Sequence, residues 1–175
     1  MSVDLSPVVT ATTRWLIRAY PAGGGPLSAA LAEAQARQAV TAAAWLRYPT
    51  AMDAALVSLV GPGGCARLDR LTGADAYEPA EQDHAWRTWV DEVVTSWAAC
   101  LLTDAALASA AVAALTGCDH AAGSCRGFRR LTAPNERDRR AAPLLRHPDL
   151  LAPLVGLHHP QLLKRLLVDP LAPAC

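Results

Sequence analysis

Alanine and leucine dominate this chain of 175 residues, with 37 alanines and 25 leucines. Both residues, like the arginines that supply nearly all of the basic charge, are among the strongest helix formers. Aromatic residues, which favour strands together with the β-branched ones, make up only 5% of the chain. The composition therefore predicts an all-α fold. The length suits one domain with a substantial core and is short for two domains.

The charges balance, because 16 lysines and arginines stand against 16 aspartates and glutamates. A neutral chain that is 52% hydrophobic is not an acidic or basic disordered tail. Lysine occurs once, at Lys164. This preference for arginine, together with the alanine excess, is typical of a GC-rich genome, whether of a bacterium, a phage or a large DNA virus.

The N-terminal residues lack the pattern of a secretory signal, since Asp4 and Pro7 stand where a basic region and an apolar run are needed. A cytoplasmic location with reduced thiols is therefore the expectation. The most apolar stretch, residues 97–115, is long enough to cross a bilayer. Alanine dominates it, however, and Asp104 lies near its centre. We expect a buried core helix there and no membrane span.

Proline and capping residues predict where the first two helices begin and end. Ser6 followed by Pro7 is typical of an N-cap with proline in the first turn. The stretch 21–26, rich in glycine and proline, ends this helix. A second, alanine-rich helix is expected over residues 27–48, because Pro49 disfavours helical backbone at the residue before it.

A third helix is predicted to open at Thr50. With Asp53 three residues later, Thr50 forms a variant capping box. The glycines of residues 61–64 end the helix, and residues 65–71 add one or two further turns. Four apolar residues form one face of this third helix: Met52, Leu56, Leu59 and Val60.

The clearest helical pattern is an apolar stripe formed by Trp86, Val90, Val93, Trp97 and Leu101. Spacings of three and four residues place all five on one face of an α-helix, which we expect over residues 80–102. Because a tryptophan can bury a large area, this helix is the predicted centre of the domain. At Asp104 the helix either continues or is capped anew, with Gly117 as the expected end.

Proline punctuates the C-terminal part of the chain. An arginine-rich helix is expected from Asn135 until Pro143 bends or ends it. Two similar units follow at His147 and His159, and each is a His-Pro pair that opens a short helix.

No linker rich in proline and serine divides the chain. We therefore predict a single-domain helical bundle over residues 1–175 with about five main helices. Residues 1–134 form the bundle core of this prediction. Residues 135–175 form an extension of short helices rich in arginine and leucine.

A cluster of cysteine and histidine suggests a metal site. Cys118, His120 and Cys125 lie within eight residues, and thiolate and imidazole are preferred ligands of zinc. Three further residues are candidates for a fourth ligand: Cys100, His84 and His147. The spacing differs from standard zinc patterns, which pair ligands two to four residues apart. Partly buried thiols in a loop are therefore the alternative interpretation.

Signatures of catalysis are weak. Glu81 and His84 form one Glu-x-x-His pair, but a carboxylate di-metal bundle needs a second such pair and further glutamates. The chain has no nucleophile elbow, phosphate-binding loop or dinucleotide fingerprint. A cysteine with a histidine beside it in space stays open as a catalytic arrangement. We expect a protein that is not an enzyme, with a zinc- or iron-dependent enzyme or sensor as the alternative.

The charges are segregated along the chain although their sum is zero. Residues 69–92 carry seven acids and two arginines, and residues 126–146 carry seven arginines and two acids. The basic segment suits an acidic protein surface or a nucleic-acid backbone, and Phe128 within it suits stacking on a base. Since the whole chain is neutral, we favour mutual neutralisation of the two segments, within the fold or between subunits, over nucleic-acid binding. The partner-binding candidates in the basic segment are Arg126, Phe128, Arg129, Arg130, Arg137, Arg139 and Arg140.

Leucine crowds the last thirty or so residues, where prolines keep the helices short. Such a segment either completes the core or offers leucines to a partner. The leucines assigned to a partner are Leu150, Leu154, Leu162 and Leu166. The sequence thus predicts a non-enzymatic adaptor, scaffold or assembly subunit that binds another protein or itself. A metal-dependent protein and a nucleic-acid-associated protein are the alternatives.

Overall fold

The computed structural model describes residues 4–74, 85–121 and 127–167. Every regular element in these residues is helical, as the composition predicts. In chain order the α-helices are α1 (Ser6–Ala19), α2 (Pro26–Arg47), α3 (Ala51–Val60), α4 (Ala66–Thr72), α5 (Glu92–Thr103), α6 (Ala105–Ala114), α7 (Arg129–Thr132), α8 (Glu136–Ala141) and α9 (Pro148–Leu167). Short 3-10 turns at Leu115–Gly117 and Asp119–Ala121 follow α6.

Helices α2 and α5 form the centre of the fold. Helix α5 packs against both α2 and α9, and α1 packs along α2. The buried face of α2 is largely alanine, including Ala36, Ala39 and Ala43, so neighbouring helices approach its backbone closely. Helix α5 adds the larger buried side chains of Trp97 and Leu101. The alanine excess therefore serves close helix packing.

The prediction of one continuous helix through the tryptophan stripe is wrong. Its first residues, 80–84, lie outside the described part of the chain, and α5 begins only at Glu92. The reason is Asp91, whose backbone is extended and whose carboxylate accepts the Val94 N–H at 3.0 Å. This is an N-cap, which starts a new helix. Trp86 therefore lies on a separate turn, before the helix that carries Trp97.

A second aspartate divides the most apolar stretch. Asp104 accepts the N–H groups of Ala106 and Leu107 at 2.9 and 3.0 Å, so it ends α5 and caps α6. Of the two possibilities at this position, a new cap is the one observed. Helix α6 gives way to a 3-10 turn that contains Gly117. Among the described residues, no helix is both long and apolar enough to cross a membrane.

The other predicted boundaries agree with the structure to within a residue or two, although the residue that caps α1 is not the predicted one. There Leu5 occupies the N-cap position, while Ser6 is already helical and donates to Asp4. The capping box of Thr50 and Asp53 is present at the start of α3. The arginine-rich helix is α8, which ends before Pro143 as expected.

Helix α9 begins at Pro148 of the first His-Pro unit and continues through the second. Its backbone departs from helical geometry at His158, with φ −140° and ψ 16°, so a kink separates the two units. The His158 N–H donates to Ser96 Oγ at 3.0 Å, and the His158 carbonyl accepts the indole N–H of Trp97 at 3.2 Å. Side chains of α5 therefore hold the kink in place.

Arg146 joins three parts of the bundle just before α9. Its guanidinium donates to Gln35 Oε1 on α2, to the Leu102 carbonyl on α5 at 3.0 Å and to the Arg130 carbonyl on α7 at 2.6 Å. Burial lowers the pKa of Arg146 to about 10. This arginine of the basic segment is thus a structural residue.

Candidate interaction surface

The predicted arginine surface is divided between internal and exposed side chains. Arg130 donates to Asp138 at 2.6 Å, and Asp138 is buried. Arg140 pairs with Glu136 one helical turn away at 2.9 Å. Three others are solvent-exposed and make no ion pair within the described residues: Arg129, Arg137 and Arg139. Arg126 lies outside the described residues.

Phe128 packs against other residues of the bundle. Its ring meets Trp45 edge-on, with centroids 6.0 Å apart, and it packs against the core. Stacking on a base therefore has to compete with this packing. Nucleic-acid binding by the segment stays a prediction.

The C-terminal leucines mostly complete the core. Leu154 and Leu162 are fully buried against the rest of the bundle, and Leu166 is partly buried against it. For Leu154 and Leu162, the prediction of contact with a partner is wrong, because α9 turns them toward α5 and the core. Leu150 is 45% exposed and is available to a partner.

Cys118 and His120, the two residues of the predicted Cys/His cluster that the structure describes, are engaged with backbone carbonyls. The Cys118 thiol donates to the Trp45 carbonyl at 3.4 Å, and His120 Nε2 lies 2.8 Å from the Tyr48 carbonyl. Burial raises the pKa of Cys118. Cys125 lies outside the described residues. In the parts of the chain that the structure describes, no three His, Cys, Asp or Glu residues are grouped to hold a metal ion.

The acidic and basic segments do not neutralise each other within the described residues. The three acids of the first segment that the structure describes, Asp69, Asp91 and Glu92, instead pair with nearby basic residues or cap a helix. Asp69 Oδ2 lies 3.3 Å from Arg87 Nη1. Glu92 Oε1 lies 3.1 Å from Arg67 Nη1 and 3.0 Å from His158 Nε2. The positive charge on Arg129, Arg137 and Arg139 is therefore available at the surface.

Within the described part of the chain, the most exposed apolar surface lies on α3, and we call it the α3 stripe. It consists of Met52 at 68%, Leu56 at 52%, Leu59 at 83% and Val60 at 81% exposure. Spacings of four, three and one residue place the four side chains on a single side of the helix. The apolar face expected from the sequence exists, but it points to solvent.

Two small side chains hold α3 against the bundle. Ala54 and Val57 are buried and lie on the side of the helix away from the stripe. At its start, the Ala51 N–H donates to Asp119 Oδ2 at 3.1 Å, and the Asp119 N–H donates to the Pro49 carbonyl at 3.1 Å. Gly61, with φ 83°, ends the helix in backbone that favours glycine.

The stripe is visible in the sequence, but the direction in which it faces is not. Helix α3 has apolar residues on two sides, and pattern alone favours the larger set as the core face. The available signal was the alanine at position 54, because this core repeatedly uses alanine where helices approach closely. The four larger residues are then left for solvent or a partner.

A comparison of the chain with known protein families, with characterised proteins and with solved structures finds no match.

Proposed function

We propose that this protein is a non-enzymatic assembly protein that associates with a second copy of itself through the α3 stripe. The supporting observation is the exposure of four large apolar side chains on one side of a capped helix. Contiguous exposed apolar patches are unusual on monomers and commonly mark binding surfaces. The proposal keeps the self-association expected from the sequence and places it on α3 in place of the C-terminal leucines.

The area of the stripe suits a reversible dimer. Four side chains of this size, each more than half exposed, offer roughly 500 Å² of apolar surface per copy. Two stripes together bury roughly 1,000 Å², which is near the lower limit for a specific interface. We therefore expect a dimer that dissociates on dilution.

A second copy fits the chemistry of the stripe. The four side chains carry no charge, so the surface that best complements them is itself apolar. Asp53, the acid nearest to the stripe along the chain, already accepts the Thr50 hydroxyl at 2.7 Å and the Thr50 N–H at 3.0 Å. A twofold pairing of two antiparallel α3 helices then places Leu56 near the axis and each Met52 beside the opposite Val60.

Sedimentation equilibrium of the full chain over a range of concentrations tests the proposal. We expect a dimer for the parent protein and at least about tenfold weaker association for Leu59→Lys. Leu167→Lys is the matched control, because Leu167 is 82% exposed, against 83% for Leu59, and lies on α9. A parent chain that stays monomeric contradicts the proposal. So does a dimer that Leu167→Lys dissociates and Leu59→Lys does not.

A further inference from the structure

Two adjoining cavities lie beside α2, where α7 and α8 pack against it. The larger of the two has a volume of about 330 Å³, which is within the range of small-molecule sites. We call it the arginine cavity, and it shares no residue with the α3 stripe, so a role for it is independent of self-association. The polar residues and the glycine that line it are Gln38, Gly127, Arg129, Arg130, Asn135 and Asp138.

The carboxylate that lines the arginine cavity is already occupied by protein groups. Asp138 Oδ1 accepts from Arg130 Nη1 at 2.6 Å, and Asp138 Oδ2 accepts the Asn135 N–H at 3.1 Å. The Asp138 side chain is 3% exposed. Its charge is therefore balanced by Arg130, and it has little capacity left for a ligand cation.

Arg129 adds a positive charge that is not balanced within the described residues. Its guanidinium is exposed and has neither a hydrogen bond nor an ion pair there. The glutamates of the surrounding helices, Glu33 and Glu136, each pair with an arginine one turn along the same helix. The five residues that precede Gly127 in the sequence include Arg126 and no acid. The residues that line the arginine cavity thus carry one positive charge in excess, which favours an anion.

The arginine cavity also contains donors to which the described residues offer no acceptor. Arg130 uses only Nη1 of its guanidinium, for Asp138. Asn135 Oδ1 accepts the Asp138 N–H at 2.9 Å, so the two amide N–H groups of this side chain stay available. With Arg129, donors from three side chains meet at one cavity. A phosphate group suits this set because it combines several acceptor oxygens with more than one negative charge.

Gln38 of α2 holds the segment that carries both arginines. Its Nε2 donates to the Gly127 carbonyl at 2.9 Å, and its Oε1 accepts the Leu131 N–H at 3.0 Å. Both polar ends of this side chain are therefore engaged, and Gln38 is a positioning residue.

The second cavity, of about 270 Å³, adjoins the arginine cavity, since Gln38 and Gly127 line both. Its other residues are Ala34, Arg37, Thr41 and Phe128. Arg37 already pairs with Glu33 at 2.8 Å. The rest of the lining is uncharged and includes one aromatic ring, so it suits the uncharged body of a ligand.

We propose that the two cavities together bind a small phosphate monoester with an aromatic body. The phosphate is held by the side chains of Arg129, Arg130 and Asn135, and the ring of the ligand packs beside Phe128. A terminal phosphate carries about two negative charges, whereas each phosphate of a nucleic-acid backbone carries about one. The arginines therefore favour the small monoester over the polymer.

Phenyl phosphate is the probe, used at about pH 8, where a phosphate monoester is a dianion. Titration of the ¹⁵N-labelled full chain is followed through the Gly127 backbone amide and the Asn135 side-chain amide. We expect saturable shifts of both signals with phenyl phosphate and none with benzamide, which has the ring without the charge. The absence of a saturable shift with phenyl phosphate, or equal binding of benzamide, overturns the proposal.

Two further ligands test the chemical class. Inorganic phosphate is expected to bind at least about tenfold more weakly than phenyl phosphate, because it leaves the second cavity empty. Equal affinities overturn the assignment of the second cavity. A thymidine oligonucleotide is expected to displace phenyl phosphate only at higher concentration. Displacement at a lower concentration assigns the arginines to nucleic acid and overturns the proposal of a small ligand.

Three variants, each of which lowers the net charge by one, separate site binding from general charge attraction. Arg129→Gln removes an exposed cavity guanidinium, and Asn135→Asp keeps an N-cap on α8 while it places a carboxylate in the cavity. Each is expected to weaken the binding of phenyl phosphate about tenfold. Arg139→Gln removes an exposed arginine that lines neither cavity, and it is expected to leave the affinity within about twofold. Similar losses in all three variants contradict the site.

Discussion

The indole N–H of Trp15 donates to the carboxylate of Asp69 at 2.9 Å, and 54 residues of chain separate the two. Both side chains are buried. The bond joins α1 to α4, and Arg87 joins the same carboxylate from the turn at Trp86. One buried acid thus connects three segments that are distant in sequence.

Replacing this acid destabilises the fold. Asp69→Ala leaves the Trp15 N–H and the Arg87 guanidinium without their partner, and we expect a loss of about 3 kcal/mol in the free energy of unfolding. Urea unfolding measures it. Glu33→Ala is the control, since its pair with Arg37 is exposed and separated by one helical turn. Its expected loss is below about 0.5 kcal/mol. Equal losses for the two variants contradict the structural role of Asp69.

Arg146 is expected to contribute as much to the free energy of unfolding as a hydrophobic core residue does. Arg146→Met removes the donor to Gln35 Oε1 and to the carbonyls of Leu102 and Arg130. These acceptors are left without this donor, so we expect a loss of about 3 kcal/mol. Arg139→Met, at an exposed position of the same basic segment, changes the unfolding free energy by less than about 0.5 kcal/mol. A small effect of Arg146→Met shows that the buried guanidinium is dispensable.

The break between α5 and α6 depends on the side chain of Asp104. Asp104→Ala removes the acceptor for the Ala106 and Leu107 N–H groups, and we expect a loss of about 1 kcal/mol. Asp104→Asn keeps an acceptor oxygen and is expected to retain most of the stability. Thermal unfolding of the three proteins, followed by circular dichroism, provides the comparison. If Asn is as damaging as Ala, capping is not what this residue contributes.

Alkaline pH weakens the fold through buried thiols. Burial raises the pKa of Cys100 from 9.0 to about 11, so above pH 9 the unfolded chain loses this proton while the folded chain keeps it. The contribution of the buried Cys100 thiol to the free energy of unfolding is complete below pH 9 and is lost as the pH rises through about 11. Between pH 8 and pH 10, the free energy of unfolding of Cys100→Ala is expected to fall by about 1 kcal/mol less than that of the parent protein. Identical pH profiles by urea unfolding contradict this account.

Local chemistry made much of the fold predictable. Helix-forming composition, Pro49 and the Thr50–Asp53 capping box placed α2 and α3. The tryptophan stripe led to the wrong prediction of one continuous helix. An apolar repeat does not show that a polar residue between two of its members caps a new helix. Asp91 is such a residue, and its other carboxylate oxygen accepts the hydroxyl of Tyr48, the residue that follows the end of α2.

The candidate surface was harder to predict than the fold. Whether Leu154 or Leu59 faces solvent depends on which helix packs against each, and that is a tertiary property. Leu154 meets the core, while α3 rests on Ala54 and Val57 and leaves Leu59 exposed. The burial of Arg146 is likewise a tertiary property, because nothing in the sequence distinguishes it from the exposed arginines of the same segment.

An intermolecular NOE to Met52 tests self-association most directly. The chain has two methionines, so ¹³C-methyl methionine labelling gives a simple spectrum in which Met52 is the reporter on the α3 stripe. In an equal mixture of labelled and unlabelled protein, an isotope-filtered experiment detects contacts between copies only. We expect cross-peaks from the Met52 methyl to the methyl groups of Leu59 and Val60 on the other copy. Contacts between copies that leave Met52 without such cross-peaks, or no contacts at concentrations where the chain is fully associated, contradict the account.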